Sequence, residues 1–365
     1  MSEASKHILS QALLKLKATG QFRTLKRQED MGVDFTSNDY LGIQRQFEAY
    51  PFTVSMGGSG GSRLLKGNHS IHETVEAFCA DWFKAEAALL FNSGYDANLA
   101  VLSTLPERRD TLLYDQRCHA SLKDGIRLSM AQHKFPYQDL KELKTKLGSA
   151  EGRVYIVTEA LFSMDGDWCP LQELLELAES RADTWVVLDE SHSTGISGPQ
   201  GSGYYTSVHP SVRMIARIHT FGKACGISGA VVVGDQELRD LLINKARPFI
   251  YTTAMPPFLA EAILYHLKAT KEAETNRAML QKNITFWGKT SKTQTSSPII
   301  PWIIAGNEAC REVATRLQAN GLDVRPILSP TVPKGEERLR IVLHNYNTEE
   351  EMKTLCEELL KEKAQ

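Results

Sequence analysis

Between Ala87 and Gly234, short aliphatic runs alternate with segments whose apolar residues recur every three or four positions. The runs AALLFN (87–92), RVYIVTE (153–159), WVVLD (185–189), MIARIHTF (214–221) and AVVVG (230–234) predict strands. DANLAVLSTL (96–105) predicts a helix, and Leu171, Leu174, Leu175 and Ala178 follow Pro170 at the spacing of a second helix with proline in its first turn. Alternation of this kind predicts an α/β protein with a largely parallel sheet. Ligands of open α/β sheets collect at the carboxyl ends of the strands, so the polar and glycine-rich segments after each run are where chemistry is to be sought.

Beyond about residue 255 the pattern changes. MPPFLAEAILYHLKATKEAETNRAMLQKNI predicts one long helical stretch, and the polar run SKTQTSS (291–297) leads into a β-α-β-α tail, a compact C-terminal α+β lobe. The N-terminal MSEASKHILSQALLKLKATG has the spacing of an amphipathic helix and lacks the apolar core of a secretory signal. The expected organisation is an N-terminal arm (1–45), a large domain (46–255) and a small domain with its linking helix (256–365). No apolar run approaches the roughly 18 residues needed to span a bilayer. The 365 residues carry 42 Lys+Arg against 44 Asp+Glu, a net charge of −2, which excludes a polycationic nucleic-acid binder. The six cysteines form no CxxC or Cys/His cluster, so neither a disulfide framework nor a zinc site is expected. A cytoplasmic protein without a metal, nucleic-acid or membrane partner is the default.

Five segments carry candidate chemistry. In IHTFGKACGISGA (218–230), Lys223 follows a strand among small residues, where partial desolvation would lower its amine pKa and make it a nucleophile. In WVVLDESHSTG (185–195), Asp189 and His192 follow a buried strand, and a carboxylate there calls for a cation such as a protonated heterocyclic nitrogen. At about 4 Å and an effective dielectric near 20 that pair attracts by roughly 4 kcal/mol, enough to raise the partner's pKa by up to ~3 units. In AALLFNSGYDANLA (87–100) the amides around Ser93, Gly94 and Tyr95 open a helix, a site for a phosphate. DQRCHASLKDG (115–125) places His119 where an imidazole could lie over a planar ring, and TEALFSMDGD (158–167) offers Ser163 as a donor. Taken singly, each also reads as an ordinary loop, cap or surface residue. Gly57-Gly58-Ser59-Gly60-Gly61 formally satisfies the GxSxG nucleophile elbow, but the RLLKGNHS that follows is broken by Gly67 and does not supply the uninterrupted helix an elbow needs.

In combination, SNDYLG (37–42), GSGGSR, NSGYDAN, HASL, FSMDGD, LDESHSTG, TFGKACG, YTTAMPP (251–257) and SPTVPKGEERLRI (329–341) closely resemble the α-oxoamine synthases, fold-type I pyridoxal-phosphate enzymes. These condense an amino acid with an acyl thioester and release carbon dioxide. The resemblance spans nearly the whole chain. It implies a mainly parallel large domain with a smaller C-terminal α+β domain, and a homodimer with shared active sites. It implies that Lys223 binds the cofactor's aldehyde and later shuttles the Cα proton, that Asp189 pairs with the ring nitrogen and that His192 reaches the phenolic oxygen. His119 would stack on the ring, Ser163 and Thr220 would add hydrogen bonds, the amides of Gly94 and Tyr95 would hold the phosphate, and Thr252 would reach the neighbouring subunit's phosphate. Arg340 would grip the amino acid's carboxylate, and Asn38 would occupy another active-site position. Within the family, the PTVPKGEERLRI run is most like the members that join L-alanine to a pimeloyl thioester, with Arg23 and Thr331 at substrate-contacting positions. Sister enzymes taking glycine or serine, and a catalytically silent family-shaped subunit, are the competing readings. Lys223 and its intact neighbours speak against the silent subunit.

Overall fold

The computed structural model describes residues 3–19, 22–25, 27, 32–46, 53 and 57–363. In chain order its elements are α1 (Glu3–Ala18), β1 (Val33–Asp34), α2 (Ser70–Trp82), β2 (Ala87–Phe91), α3 (Gly94–Thr104), β3 (Thr111–Asp115), α4 (Ala120–Leu128), β4 (His133–Tyr137), α5 (Leu140–Ser149) and β5 (Val154–Glu159). There follow α6 (Leu171–Glu179), β6 (Thr184–Asp189), β7 (Met214–Thr220), β8 (Ala230–Gly234), α7 (Gln236–Lys245), α8 (Arg247–Ile250), α9 (Pro257–Glu272) and α10 (Glu274–Ser291). The chain ends through β9 (Ile299–Ile303), α11 (Asn307–Ala319), β10 (Leu322–Asp323), β11 (Arg325–Ile327), β12 (Arg338–Val342) and α12 (Glu349–Lys363).

Seven strands form the main sheet in the order β2-β8-β7-β6-β5-β3-β4. The run from β7 to β4 is parallel, and β8 alone runs against its neighbours β7 and β2. All five residues of β2 and all six of β5 are buried, because helices cover both faces of the sheet and leave no polar side for an alternating pattern to show. On one face α3, α4 and α7 close over Leu89, Val157, Val187 and Ile218; on the other, α5 and α6 pack on Leu113, Ile156, Val186 and Leu188. Asp115, Glu159, Asp189 and Thr220 end β3, β5, β6 and β7 at the same edge of the sheet.

A second sheet, β11-β12-β9, is antiparallel and packs with α10, α11 and α12 around Trp287, Trp302, Leu339 and Leu355. Phe35, Tyr40 and Leu41 from the segment before α2 enter this same core, so the SNDYLG loop is clamped between the two sheets. Inside the tail, the short strands β10 and β11 come between α11 and β12, which the β-α-β-α reading did not contain.

The long helical stretch after residue 255 is two helices. Ala273 leaves helical geometry (φ −77°, ψ 45°), and the Arg277 guanidinium donates to the freed carbonyls of Thr270 (2.8 Å) and Lys271 (3.0 Å). Periodicity continues across such a break, so only the capping arginine marks it. The GGSGG segment forms turns, and the Ser59 hydroxyl donates to the Ala254 carbonyl. All six cysteines are buried and unpaired. Among the described residues no helix is long and apolar enough to cross a membrane, and no His/Cys/Asp/Glu group could hold a metal.

Candidate active site

A cavity of about 360 Å³ opens at the carboxyl edge of the main sheet, lined by Asn38, Gly94, Tyr95, His119, Asp189, His192, Thr220 and Lys223 among others. With Ser93, nine of the residues singled out in the sequence thus meet in one place, drawn from segments as far apart as Asn38 and Lys223.

Lys223 sits in the tight loop joining antiparallel β7 and β8. That loop is closed by backbone bonds from Phe221 to Gly229 (3.0 Å), Ile227 to Phe221 (3.0 Å) and Gly226 to Lys223 (2.8 Å). Gly226 has φ +66°, and a Cβ there would fall 2.6 Å from the Gln44 nitrogen, so glycine is required for the loop to lie against the chain just after SNDYLG. Lys223 Nζ donates to Thr220 Oγ1 at 3.2 Å. Burial lowers the amine pKa, the nearby Asp189 carboxylate opposes that, and Arg340 adds to it. A larger share of neutral amine at neutral pH, hence a better nucleophile, is the result.

Asp189 is 4% exposed at the end of β6. Its carboxylate accepts from the Ser191 amide (2.8 Å) and from Asn98 Nδ2 (2.8 Å). Asn98, buried on α3, also donates to Ser121 Oγ (2.9 Å), which in turn lies 2.7 Å from His119 Nδ1. One hydrogen-bonded network therefore fixes both the acid and the imidazole across the cavity. The His119 amide donates to Glu159 Oε1 (2.5 Å), the cross-strand partner of Asp189. Burial, reinforced by Asp189, pushes the Glu159 carboxyl up to about 8, which keeps it mostly neutral at pH 7.

The turn from β2 into α3 follows from Ser93, which caps the helix by accepting from the Asp96 amide at 3.1 Å. The amides of Gly94 and Tyr95, in the first turn of α3, have no described partner, and both residues line the cavity. A Cβ on Gly94 would lie 2.2 Å from Thr220 Cγ2, so glycine lets the helix start approach β7. The Tyr95 side chain turns outward, 43% exposed, and its hydroxyl donates to Asp124. His192 is buried; burial, together with the charges of Lys223, Arg340 and His119, holds its imidazole far below the ordinary range and therefore neutral.

Other residues singled out in the sequence sit at the rim or apart. Arg340, 8% exposed on β12, donates to the Ser163 carbonyl (2.6 Å) and to Asn38 Oδ1 (2.9 Å), so it joins the small sheet to the cavity wall. Ser163 enters the arrangement through that carbonyl. Thr252 lines a small neighbouring cavity with Arg63, Phe91 and Asn92, and its hydroxyl accepts from Asn92 Nδ2 at 3.4 Å. Thr331 is exposed in the turn before β12, and Arg23 is exposed after α1; neither is among the described lining residues. Asn98, Ser121, Glu159 and Tyr40 were not singled out from the sequence. Asn98 left a readable trace: a polar residue on the apolar face that Ala97, Ala100 and Val101 define.

Similarity places this geometry in a family. The model of aminotransferase class I and II matches residues 30–359. An 8-amino-7-oxononanoate synthase of Azoarcus sp. (strain BH72) is 40% identical over 89% of this chain and 86% of its own. The crystal structure of 8-amino-7-oxononanoate synthase from Francisella tularensis is 30% identical, with a TM-score of 0.78 over 92% of this chain and 98% of its own. A serine palmitoyltransferase variant from S. paucimobilis, solved with bound pyridoxal phosphate and myriocin, shares the fold at a TM-score of 0.84 and 24% identity, covering 99% of this chain and 98% of its own. The chain belongs to the class I and II aminotransferase family, in the α-oxoamine synthase branch that holds the 8-amino-7-oxononanoate synthases.

Proposed function

We propose that this protein is a pyridoxal-phosphate-dependent C-acyltransferase that condenses L-alanine with a pimeloyl thioester, releasing carbon dioxide and the thiol and forming 8-amino-7-oxononanoate, a step of biotin biosynthesis. One observation carries the reading. An amine of lowered basicity, a buried carboxylate and an unpartnered helix N-terminus converge on a single cavity, and its relatives over most of the chain carry that activity in their names.

The residues present fit the cofactor. Lys223 supplies the amine that condenses with its aldehyde, Asp189 the counter-charge for its ring nitrogen, and the Gly94 and Tyr95 amides the donors for its phosphate. His192 supports the phenolic oxygen, His119 covers the ring face, Thr220 orients the lysine, and Ser163 adds a further donor. When bound, the protonated ring draws electron density from the amino acid's Cα. The rest is the work of this chain's side chains. Asp189, held by two donors, keeps a proton on the ring nitrogen. With the cofactor bound, the Lys223 amine would be placed to take and return the proton at Cα, and burial, which lowers its basicity, favours the neutral amine that accepts it. Arg340 and Asn38 bind the amino acid's carboxylate, a task suited to the planar guanidinium. The same pair orients that carboxylate for its loss as carbon dioxide.

Thr331 and Arg23 are assigned to the acyl substrate, and Thr252 to the phosphate of a second subunit. Leu64, Leu65 and Tyr251, exposed beside the Thr252 cavity, and the exposed Ile8, Leu9, Leu13 and Leu14 of α1 support a homodimer that covers them. Six buried, unpaired thiols support a reducing, cytoplasmic setting. Mass spectrometry of the product formed from L-alanine and pimeloyl-CoA tests the assignment, with glycine, serine and a pimeloyl-carrier protein run in parallel. The expected result is 8-amino-7-oxononanoate from alanine; a product from glycine or serine alone overturns it.

A further inference from the structure

Tyr40, in the same loop as Asn38, is fully buried, and its hydroxyl lies 2.6 Å from His192 Nδ1. The Arg340 guanidinium lies near that hydroxyl, and Asn38 Oδ1 lies 3.4 Å from it while accepting from Arg340 Nη2 at 2.9 Å. Asn38, Arg340, Tyr40 and His192 therefore form one connected chain between the rim and the cavity.

The direction of the hydrogens follows from what each group can do. A guanidinium only donates, so Arg340 cannot take the Tyr40 hydrogen. The hydroxyl has one hydrogen to give, and the 2.6 Å contact to the ring nitrogen takes it over the 3.4 Å contact to Asn38. Burial pushes the Tyr40 hydroxyl up to about 12, so its proton stays in place. His192 is neutral and carries a single ring proton. With Nδ1 occupied as an acceptor, that proton resides on Nε2, which has no described protein partner and belongs to a ring lining the cavity.

We propose that Tyr40 is a positioning residue whose hydroxyl locks His192 as the Nε2–H tautomer, so that the imidazole presents a donor to the cavity and is tied to the carboxylate-gripping Arg340. The identity of the acceptor as the cofactor's phenolic oxygen rests on the function proposed above; the tautomer lock does not. The charged groups facing His192, namely Lys223, Arg340 and His119, all remain when the Tyr40 hydroxyl alone is removed.

The test has two arms. In the cofactor-free full-length protein labelled with nitrogen-15 histidine, His192 is identified by its loss in His192→Gln. The wild-type resonances should report an unprotonated Nδ1 and a protonated Nε2, and Tyr40→Phe should shift both toward a tautomer mixture. A protonated Nδ1 in the wild type overturns the proposal, and that spectrum alone decides the matter if Tyr40→Phe does not fold. Resonances indifferent to Tyr40→Phe overturn it as well. In the second arm, the visible band of the lysine-bound cofactor is titrated with pH. A hydrogen bond given to the phenolic oxygen stabilises its ionised form, so Tyr40→Phe should raise the midpoint by about one pH unit, the tenfold effect of one such bond. In a His192→Gln background the same change should leave the midpoint unmoved. A midpoint unaffected in the wild-type background counts against the proposal. A protein that shows the tautomer lock but never develops the cofactor's band upholds the lock and defeats the cofactor reading instead.

Discussion

Asn98 offers a quantitative handle on the cavity, because it is one of two donors that orient the Asp189 carboxylate. Replacing it with alanine removes the 2.8 Å bond to Asp189 and the 2.9 Å bond to Ser121, while the Ser191 amide still holds the other carboxylate oxygen. A hydrogen bond to a charged group contributes about 1.5–3 kcal/mol. The carboxylate of Asn98→Ala is free to turn toward other donors and must be turned back when the cofactor binds. At tenfold per 1.4 kcal/mol, cofactor affinity should fall about 10- to 100-fold. Asn98 Oδ1 accepts from no described donor, so its removal leaves no donor unpaired on that side and the fold should survive. The assay is absorbance titration of the cofactor-free protein with pyridoxal phosphate, with circular dichroism melting as the folding control. Ser121→Ala, which touches Asp189 only through Asn98 but also frees His119 Nδ1, should weaken binding less than Asn98→Ala does. If Asn98→Ala binds as tightly as the wild type while Asp189→Asn is weakened, the claim that this network positions the acid is refuted.

Other consequences can be checked independently. The pH at which the Lys223 amine captures an aldehyde should rise in Arg340→Ala, which removes a charge that lowers its pKa, and fall in Asp189→Asn, which removes one that raises it; initial capture rates across pH that move both variants the same way contradict this. Folding lifts Glu159 from its usual 4.5 to about 8, so its protonated form contributes stability that is fully present below about pH 4.5 and lost by about pH 8. The loss amounts to about 1.4 kcal/mol per pH unit in that window, and Glu159→Gln, which keeps an acceptor for the His119 amide, should flatten that part of the denaturant-derived stability profile. Gly94→Ala forces a methyl against Thr220 Cγ2 and should cost about 1–3 kcal/mol of stability. Adding Thr220→Ser, which deletes that methyl but keeps the hydroxyl for Lys223, should restore at least half of the loss in melting temperature.

Much of the site was legible in the sequence because its chemistry is carried by short local patterns. Lys223, Asp189, His119 and Gly94 each stand at or soon after a strand end or at a helix start, and strand ends can be read from runs of apolar residues. What the sequence could not supply was set by contacts between distant segments. Tyr40 meets His192 across 152 positions and Asn98 meets Asp189 across 91, so nothing local marks either pair. Glu159 reads as the polar end of a strand, and only its burial beside Asp189 makes it a neutral carboxylic acid. The break between α9 and α10 escaped for a related reason. Ala273 is a good helix former, and the chain turns there because Arg277 gathers the loose carbonyls.

The central claim is that the Lys223 amine captures the cofactor. Borohydride reduction of the cofactor-loaded protein, followed by proteolysis and peptide mapping by mass spectrometry, reads this directly. The account predicts one phosphopyridoxyl adduct, on the peptide containing Lys223. An adduct on a different lysine, or none, contradicts it.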